Sequence, residues 1–180
     1  MKTNIALIGM AGCGKSIVGR KLAGRLNLIF FDLDGILEVH SGKKIERLLK
    51  ELGEESFLQF ESDNLVAFLK TDPREFVISG GGSIILVEKA MRQLQELAAT
   101  VFLDTPFKLI EERVRDGRVR EGAIIGLRQK SLREVYDERL PLYAKYADWR
   151  LPTGNLAEEE VVERIVQWWR YANRGVCADA

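Results

Sequence analysis

An apolar run, Ile5-Ala6-Leu7-Ile8, breaks into Gly9-Met10-Ala11-Gly12-Cys13-Gly14-Lys15-Ser16, and beyond it Val18, Leu22 and Leu26 recur at helical spacing. No other feature restricts the fold of this chain as much. The octet fits GxxxxGK[ST] in full and stands where that pattern has a mechanism, between a strand and a helix. Its glycines let successive backbone N–H groups turn inward around an anion, and the helix that begins near Lys15 adds the positive end of its dipole. In such a loop Lys15 reaches the β- and γ-phosphates of a nucleotide and the Ser16 hydroxyl ligates Mg²⁺. Gly9, Met10, Ala11, Gly12, Cys13, Gly14 and Ile17 complete the expected nucleotide-binding segment. The competing reading is a glycine-rich turn with an exposed lysine. Cys13 reads as a small filler rather than a reactive thiol.

A second apolar run, Leu28-Ile29-Phe30-Phe31, reads as a buried strand that delivers Asp32 and Asp34 at its C-terminal end. From residue 36 to about 70 the pattern predicts two amphipathic helices meeting at Gly53, one carried by Ile45, Leu48, Leu49 and Leu52, the other by Phe57, Phe60, Leu65 and Phe68. A third strand, Phe76-Val77-Ile78, follows Asp72-Pro73 and runs into Ser79-Gly80-Gly81-Gly82. A helix over 87–98 then leads to a fourth strand, Thr100-Val101-Phe102-Leu103, closed by Asp104-Thr105-Pro106.

Residues 111–130 interleave Arg113, Arg115, Arg118, Arg120 and Arg128 with glycines, which makes poor core material and predicts a mobile segment. A helix over about 131–139 stops ahead of Pro141, a short strand lies at Trp149-Arg150-Leu151, and Asn155 with Glu158 resembles a capping box that opens a last helix. Alternating strands and helices predict an α/β chain with a mainly parallel sheet covered on both faces. Ligands of such sheets collect at the C-terminal strand ends. Three of those ends are polar here: Asp32 with Asp34, the Ser79–Gly82 loop, and Asp104-Thr105.

Charge narrows the partners. The 27 Lys and Arg are balanced by 27 Asp and Glu for a formal net charge of zero, and they are spread along the chain, so no basic surface for nucleic acid is expected. Length and composition, 180 residues with 46% hydrophobic, suit a single domain with a real core. Cys13 and Cys177 have no metal-binding spacing, and His40 is alone. No apolar run approaches the roughly 20 residues of a membrane span. A cytoplasmic monomer without membrane contact is the expectation.

Read together, these residues resemble the shikimate kinases, within the P-loop nucleoside monophosphate kinase-like group. The resemblance rests on the glycine octet, Phe31-Asp32-Leu33-Asp34, Gly42-Lys43-Lys44-Ile45, and Gly53-Glu54 with Phe57 and Glu61. It continues through Gly80-Gly81-Gly82 and Arg139-Leu140-Pro141-Leu142-Tyr143 ahead of Ala147-Asp148. It implies a three-layer α/β/α P-loop kinase fold on a five-stranded parallel sheet, with a helical substrate-binding insertion at 35–61 and a mobile lid at 111–125. It also implies ATP and Mg²⁺ as cofactors and a small-molecule hydroxyl compound as acceptor.

Residue by residue, the resemblance makes Asp34 the catalytic base and an acceptor ligand, and Asp32 a holder of Mg²⁺ through water. Gly80, Gly81 and Gly82 line the acceptor, and Arg139 forks onto its carboxylate. Arg113 stacks on adenine opposite Thr153, and Arg118 or Arg120 supplies the lid arginine. Bland counterparts exist for several of these: strand-end caps for the two aspartates, a tight turn for the glycines, an ion pair with Glu138 or Glu134 for Arg139.

One position departs from the family. Where shikimate kinases have Phe-Arg-x-x-Glu, with the arginine joining the one at 139 on the shikimate carboxylate, this chain has Phe57-Leu58-Gln59-Phe60-Glu61. Leucine neither donates a hydrogen bond nor neutralises an anion. The departure predicts an acceptor smaller or less acidic than shikimate. The alternatives are shikimate itself with the grip rebuilt from other residues, and a nucleotide-responsive binding module without turnover.

Overall fold

Near-continuous apolar runs suit strands covered on both faces, and three of them pair in parallel at the centre of the sheet. The computed structural model describes residues 2–71 and 75–173; the Asp72-Pro73 turn and Cys177 lie outside them. Strands β1 (Asn4–Ile8), β2 (Ile29–Asp32), β3 (Phe76–Ser79), β4 (Ala98–Asp104) and β5 (Trp149–Pro152) form one parallel sheet in the order β2-β3-β1-β4-β5. Every residue of β1 and β3 is buried. Their C-terminal ends lie side by side, since Leu7 pairs with Ser79 and Asp32 with Ser79 from the other side.

Helices α1 (Lys15–Leu26), α2 (Leu33–Ser41), α3 (Ile45–Leu52), α4 (Glu54–Lys70), α5 (Glu88–Leu97), α6 (Phe107–Arg115), α7 (Leu132–Tyr146) and α8 (Glu158–Asn173) cover both faces, giving three α/β/α layers. Single 3₁₀ turns sit at Ile84–Leu86 and Glu121–Ala123. Helices α1 and α8 pack together on one side, α4 and α5 on the other.

Several expectations need correction. The run before Asp32 is an edge strand rather than a buried one, with Ile29 59% exposed; Phe31 meets Phe68 and Phe76 edge to face on one side, and Phe30 lies against Gly19 of α1 on the other. Residues 33–70 make three helices instead of two. The extra break falls at Gly42, whose φ of 66° ends α2 in the left-handed conformation. Asp34 therefore lies in the first turn of a helix.

The charged stretch also supplies more of the core than its composition suggests. Helix α6 takes up its beginning, and Ile124 and Ile125 are each only 4% exposed. Helix α7 opens on a Ser131–Glu134 capping box and continues through Pro141 to Tyr146, because Tyr143 and Tyr146, 1% and 5% exposed, anchor its last turn in the core. Helix α8 begins at Glu158, and the return bond to its start comes from Glu160 to the Ala157 N–H, two residues later than the Asn155 box.

Candidate functional site

The loop after β1 turns through left-handed glycines. At Gly9, φ is 146°, and a Cβ would meet Cys13 Sγ at 2.8 Å and Leu103 O at 2.9 Å, so only glycine lets the chain leave the strand there. Gly14, with φ 99°, is the N-cap of α1 and has open space around it, leaving the helix N-terminus accessible. Lys15 folds back over the loop, its Nζ donating to the carbonyls of Gly9 at 2.8 Å and Met10 at 3.0 Å. Cys13 is 5% exposed and packs as the expected filler.

This loop forms one wall of a cavity of about 440 Å³ at the C-terminal edge of the sheet. Ala11 to Val18 line it from the loop and α1, Ser79 to Ser83 from the end of β3, Asp34 from α2, and Ile45 and Phe57 from α3 and α4. Arg113, Arg118, Val119 and Ala123 close it from above, and Thr153 and Leu156 bound the far end. Backbone N–H groups, a lysine and a helix N-terminus are the donor set a polyphosphate needs. Ser16 Oγ lies 3.4 Å from Ser79 Oγ, so two oxygen donors suited to Mg²⁺ meet at the end of β3. Among the described residues no group of three or more His, Cys, Asp or Glu could cage a metal alone. A cation that keeps waters and phosphate oxygens needs none.

The glycine turn joins the two halves of the cavity. A Cβ on Gly82 would stand 3.0 Å from the Ala11 N–H nitrogen of the phosphate loop. On Gly81 it would overlap Glu61 Oε1 outright and come within 3.2 Å of Asp34 Oδ1. Phosphate cradle and carboxylates are thus separated by bare backbone. Asp34 is open to the cavity, and desolvation between the cavity walls raises its carboxyl from its ordinary value; Asp32 adds to this and Lys15 opposes it.

Glu61, left without a role in the sequence reading, is wholly buried. Ser83 donates to its Oε2 at 2.8 Å, its Oε1 has no partner, and burial pushes its carboxyl up to about 8. Tyr143 was also missed: its hydroxyl donates to Gly82 O at 2.6 Å while its ring stacks on Phe102. The Phe-x-x-x-Glu spacing and the residue after Arg139-Leu140-Pro141-Leu142 pointed at these positions, but not at what they touch.

The remaining candidates divide. Arg118, paired with Asp116 at 2.7 Å, faces the cavity, whereas Arg120 turns away to Glu46 at 3.0 Å. Arg113 faces the cavity and donates to Gly12 O. Thr153 shares a 2.7 Å hydrogen bond with Thr105. Gly9, Met10 and Asp32 stand behind the wall.

Arg139 is also set back, 4% exposed, and donates to Ile125 O at 2.6 Å and Gly82 O at 3.3 Å. Its bland alternative is not realised, since Glu138 takes Lys130 and Glu134 takes Ser131. Leu58 is half-buried against the core.

Comparison with known proteins points one way. The family model described as shikimate kinase matches residues 11–170. A shikimate kinase of Persephonella marina is 32% identical over 163 residues, 91% of this chain and 96% of that protein. One from Thermodesulfovibrio yellowstonii is 30% identical over 172 residues, 96% and 98% of the two chains. Among solved structures, shikimate kinase from Acinetobacter baumannii in complex with shikimate superposes with a TM-score of 0.85 at 28% identity, covering 96% of this chain and 95% of that one. Shikimate kinase from Aquifex aeolicus gives 0.77 at 30% identity, covering 96% and 99%.

Proposed function

Because the chain belongs to the shikimate kinase family, a P-loop kinase that uses ATP and Mg²⁺, we propose that its acceptor is shikimate and that the reaction is transfer of the γ-phosphate to a shikimate hydroxyl. The observation that carries this is the glycine turn, whose bare backbone touches the phosphate loop at Ala11 on one side and lies against Asp34 on the other. Transferring phosphate and accepting hydroxyl then meet across a span no side chain fills. The relatives favour shikimate over the smaller or less acidic acceptor expected from Leu58.

ATP with Mg²⁺ supplies the phosphoryl group and the charge neutralisation that lets a nucleophile approach it. Lys15 leaves the Gly9 and Met10 carbonyls for the phosphates, and the N–H groups of the loop hold them in line. Asp34 accepts the hydroxyl proton, and its raised affinity for protons brings it nearer the working pH of a base. Arg118, already facing the cavity, meets the charge that develops on the transferring group. Arg139, which donates to the glycine turn at Gly82 O, takes the acceptor carboxylate by exchanging a backbone carbonyl for it. A reaction that draws on ATP fits the cytoplasm.

Leu58 favours a second reading, a less acidic hydroxy compound as acceptor. Incubation with Mg²⁺ and ATP decides between them. ADP release that depends on shikimate is expected. Release that shikimate leaves unchanged and a small polyol accelerates refutes the proposal.

A further inference from the structure

The acceptor end of the cleft contains one buried group with no place in the mechanism above. Glu61 is 0% exposed, and its Oε1 is without a hydrogen-bond partner. That atom lies directly against Gly81, on the side of Asp34 Oδ1. The groups that face it come from four places: Asp34 on α2, Lys15 at the phosphate loop, Arg139 and Tyr143 on α7, and Ser83 after the glycine turn. Neither cation pairs with it, since Lys15 is held by the Gly9 and Met10 carbonyls and Arg139 by those of Ile125 and Gly82. On its own helix the neighbours three and four residues away, Phe57, Leu58, Asn64 and Leu65, carry no charge. An ionised carboxylate here would be desolvated and unpaired.

We propose that Glu61 works as a neutral carboxylic acid: a positioning residue against Gly81 that adds no charge beside the acceptor, and whose ionisation sets the upper pH limit for binding an anionic acceptor. This rests on the acceptor reading given above. Ionised Glu61 puts a second negative charge beside the backbone on which the acceptor lies, and opposes both the acceptor carboxylate and the arriving γ-phosphate. The loss of the proton falls near pH 8, because burial outweighs the Ser83 hydrogen bond that favours the charged form. Leu58 and the neutral Glu61 form one unit: remove the cation, and the buried acid keeps its proton.

Two measurements on the full chain test this. Infrared difference spectroscopy of the ligand-free protein across about pH 6 to 10 should show a protonated-carboxyl band lost near pH 8, absent from Glu61→Gln and from Leu58→Arg, where the new guanidinium pairs with the carboxylate. In steady-state kinetics the wild-type KM for shikimate should climb about tenfold per pH unit beyond that point, with the KM for ATP much less affected and the Glu61→Gln profile flat.

A band that persists in Glu61→Gln, or wild-type and Glu61→Gln KM profiles of the same shape, overturns the proposal. If Glu61→Gln fails to fold, the Leu58→Arg spectrum and profile decide in its place, and a band retained there overturns it equally. A protein inert towards shikimate whose Glu61 band titrates near pH 8 refutes the acceptor reading and the pH limit on its binding, and supports the neutral state.

Discussion

Replacing Glu61 by glutamine should change how the stability of the protein depends on pH. Below pH 4.5, the ordinary value for this side chain, the carboxyl is protonated in the folded and unfolded chain alike, and its contribution to stability is fully present. Between 4.5 and about 8 the unfolded chain releases the proton and the folded chain keeps it, so stability falls as pH rises. Above about 8 both forms are ionised and the contribution is gone. The gap between 4.5 and about 8, at about 1.4 kcal/mol per pH unit, sets a ceiling of about 5 kcal/mol. A domain of ordinary stability has only about 5–15 kcal/mol in all.

Glutamine keeps the shape and the Ser83 partner but does not titrate. Urea unfolding followed by the fluorescence of Trp149, Trp168 and Trp169, at pH 5, 6.5 and 8, gives both slopes. Wild type should lose up to about 4 kcal/mol more than Glu61→Gln across that interval. Asp34, raised in the same direction, contributes to both proteins, so the difference between the slopes reports Glu61 together with its coupling to Asp34. Parallel curves refute the reasoning, and would mean that Arg139 leaves its carbonyls to neutralise an ionised Glu61.

Three further outcomes follow from the site. Gly81→Ala drives a Cβ into Glu61 Oε1, which is sealed from solvent, and to 3.2 Å from Asp34 Oδ1, so a loss of about 1–3 kcal/mol in thermal unfolding and a raised acceptor KM are expected. Arg118→Ala lowers kcat by about 10²-fold or more, while Arg120→Ala, which loses a pair with Glu46, lowers it far less; single-turnover kinetics separates them. Leu58→Arg adds a charge-assisted contact of about 2 kcal/mol or more, read as a fall of roughly 30-fold in the KM for shikimate.

Tyr143 shows what a residue pattern leaves out. Its place after Arg139-Leu140-Pro141-Leu142 is plain in the sequence, yet only the fold sets its hydroxyl on the Gly82 carbonyl and its ring on Phe102. Pro141 misled for the same reason: it marks a local break, and buried tyrosines on its far side outweigh the lost N–H. The two-helix reading of 36–70 failed at Gly42, where a short helix of mixed composition offers few periods to count.

The strand–glycine loop–helix unit, the parallel α/β order and the family are legible in the residues alone, because each of these rests on local backbone geometry or on short motifs whose spacing carries the mechanism. Only the packed fold reveals that Arg118 rather than Arg120 faces the cavity, that Arg139 is held by backbone carbonyls, and that Glu61 is sealed away without a cation. Those are facts about distance and dielectric between residues far apart in the chain, such as Glu61 beside Gly81 and Arg139 against Ile125 and Gly82. A pattern of letters records which groups are present; whether a carboxyl there is charged depends on what the fold brings within reach of it.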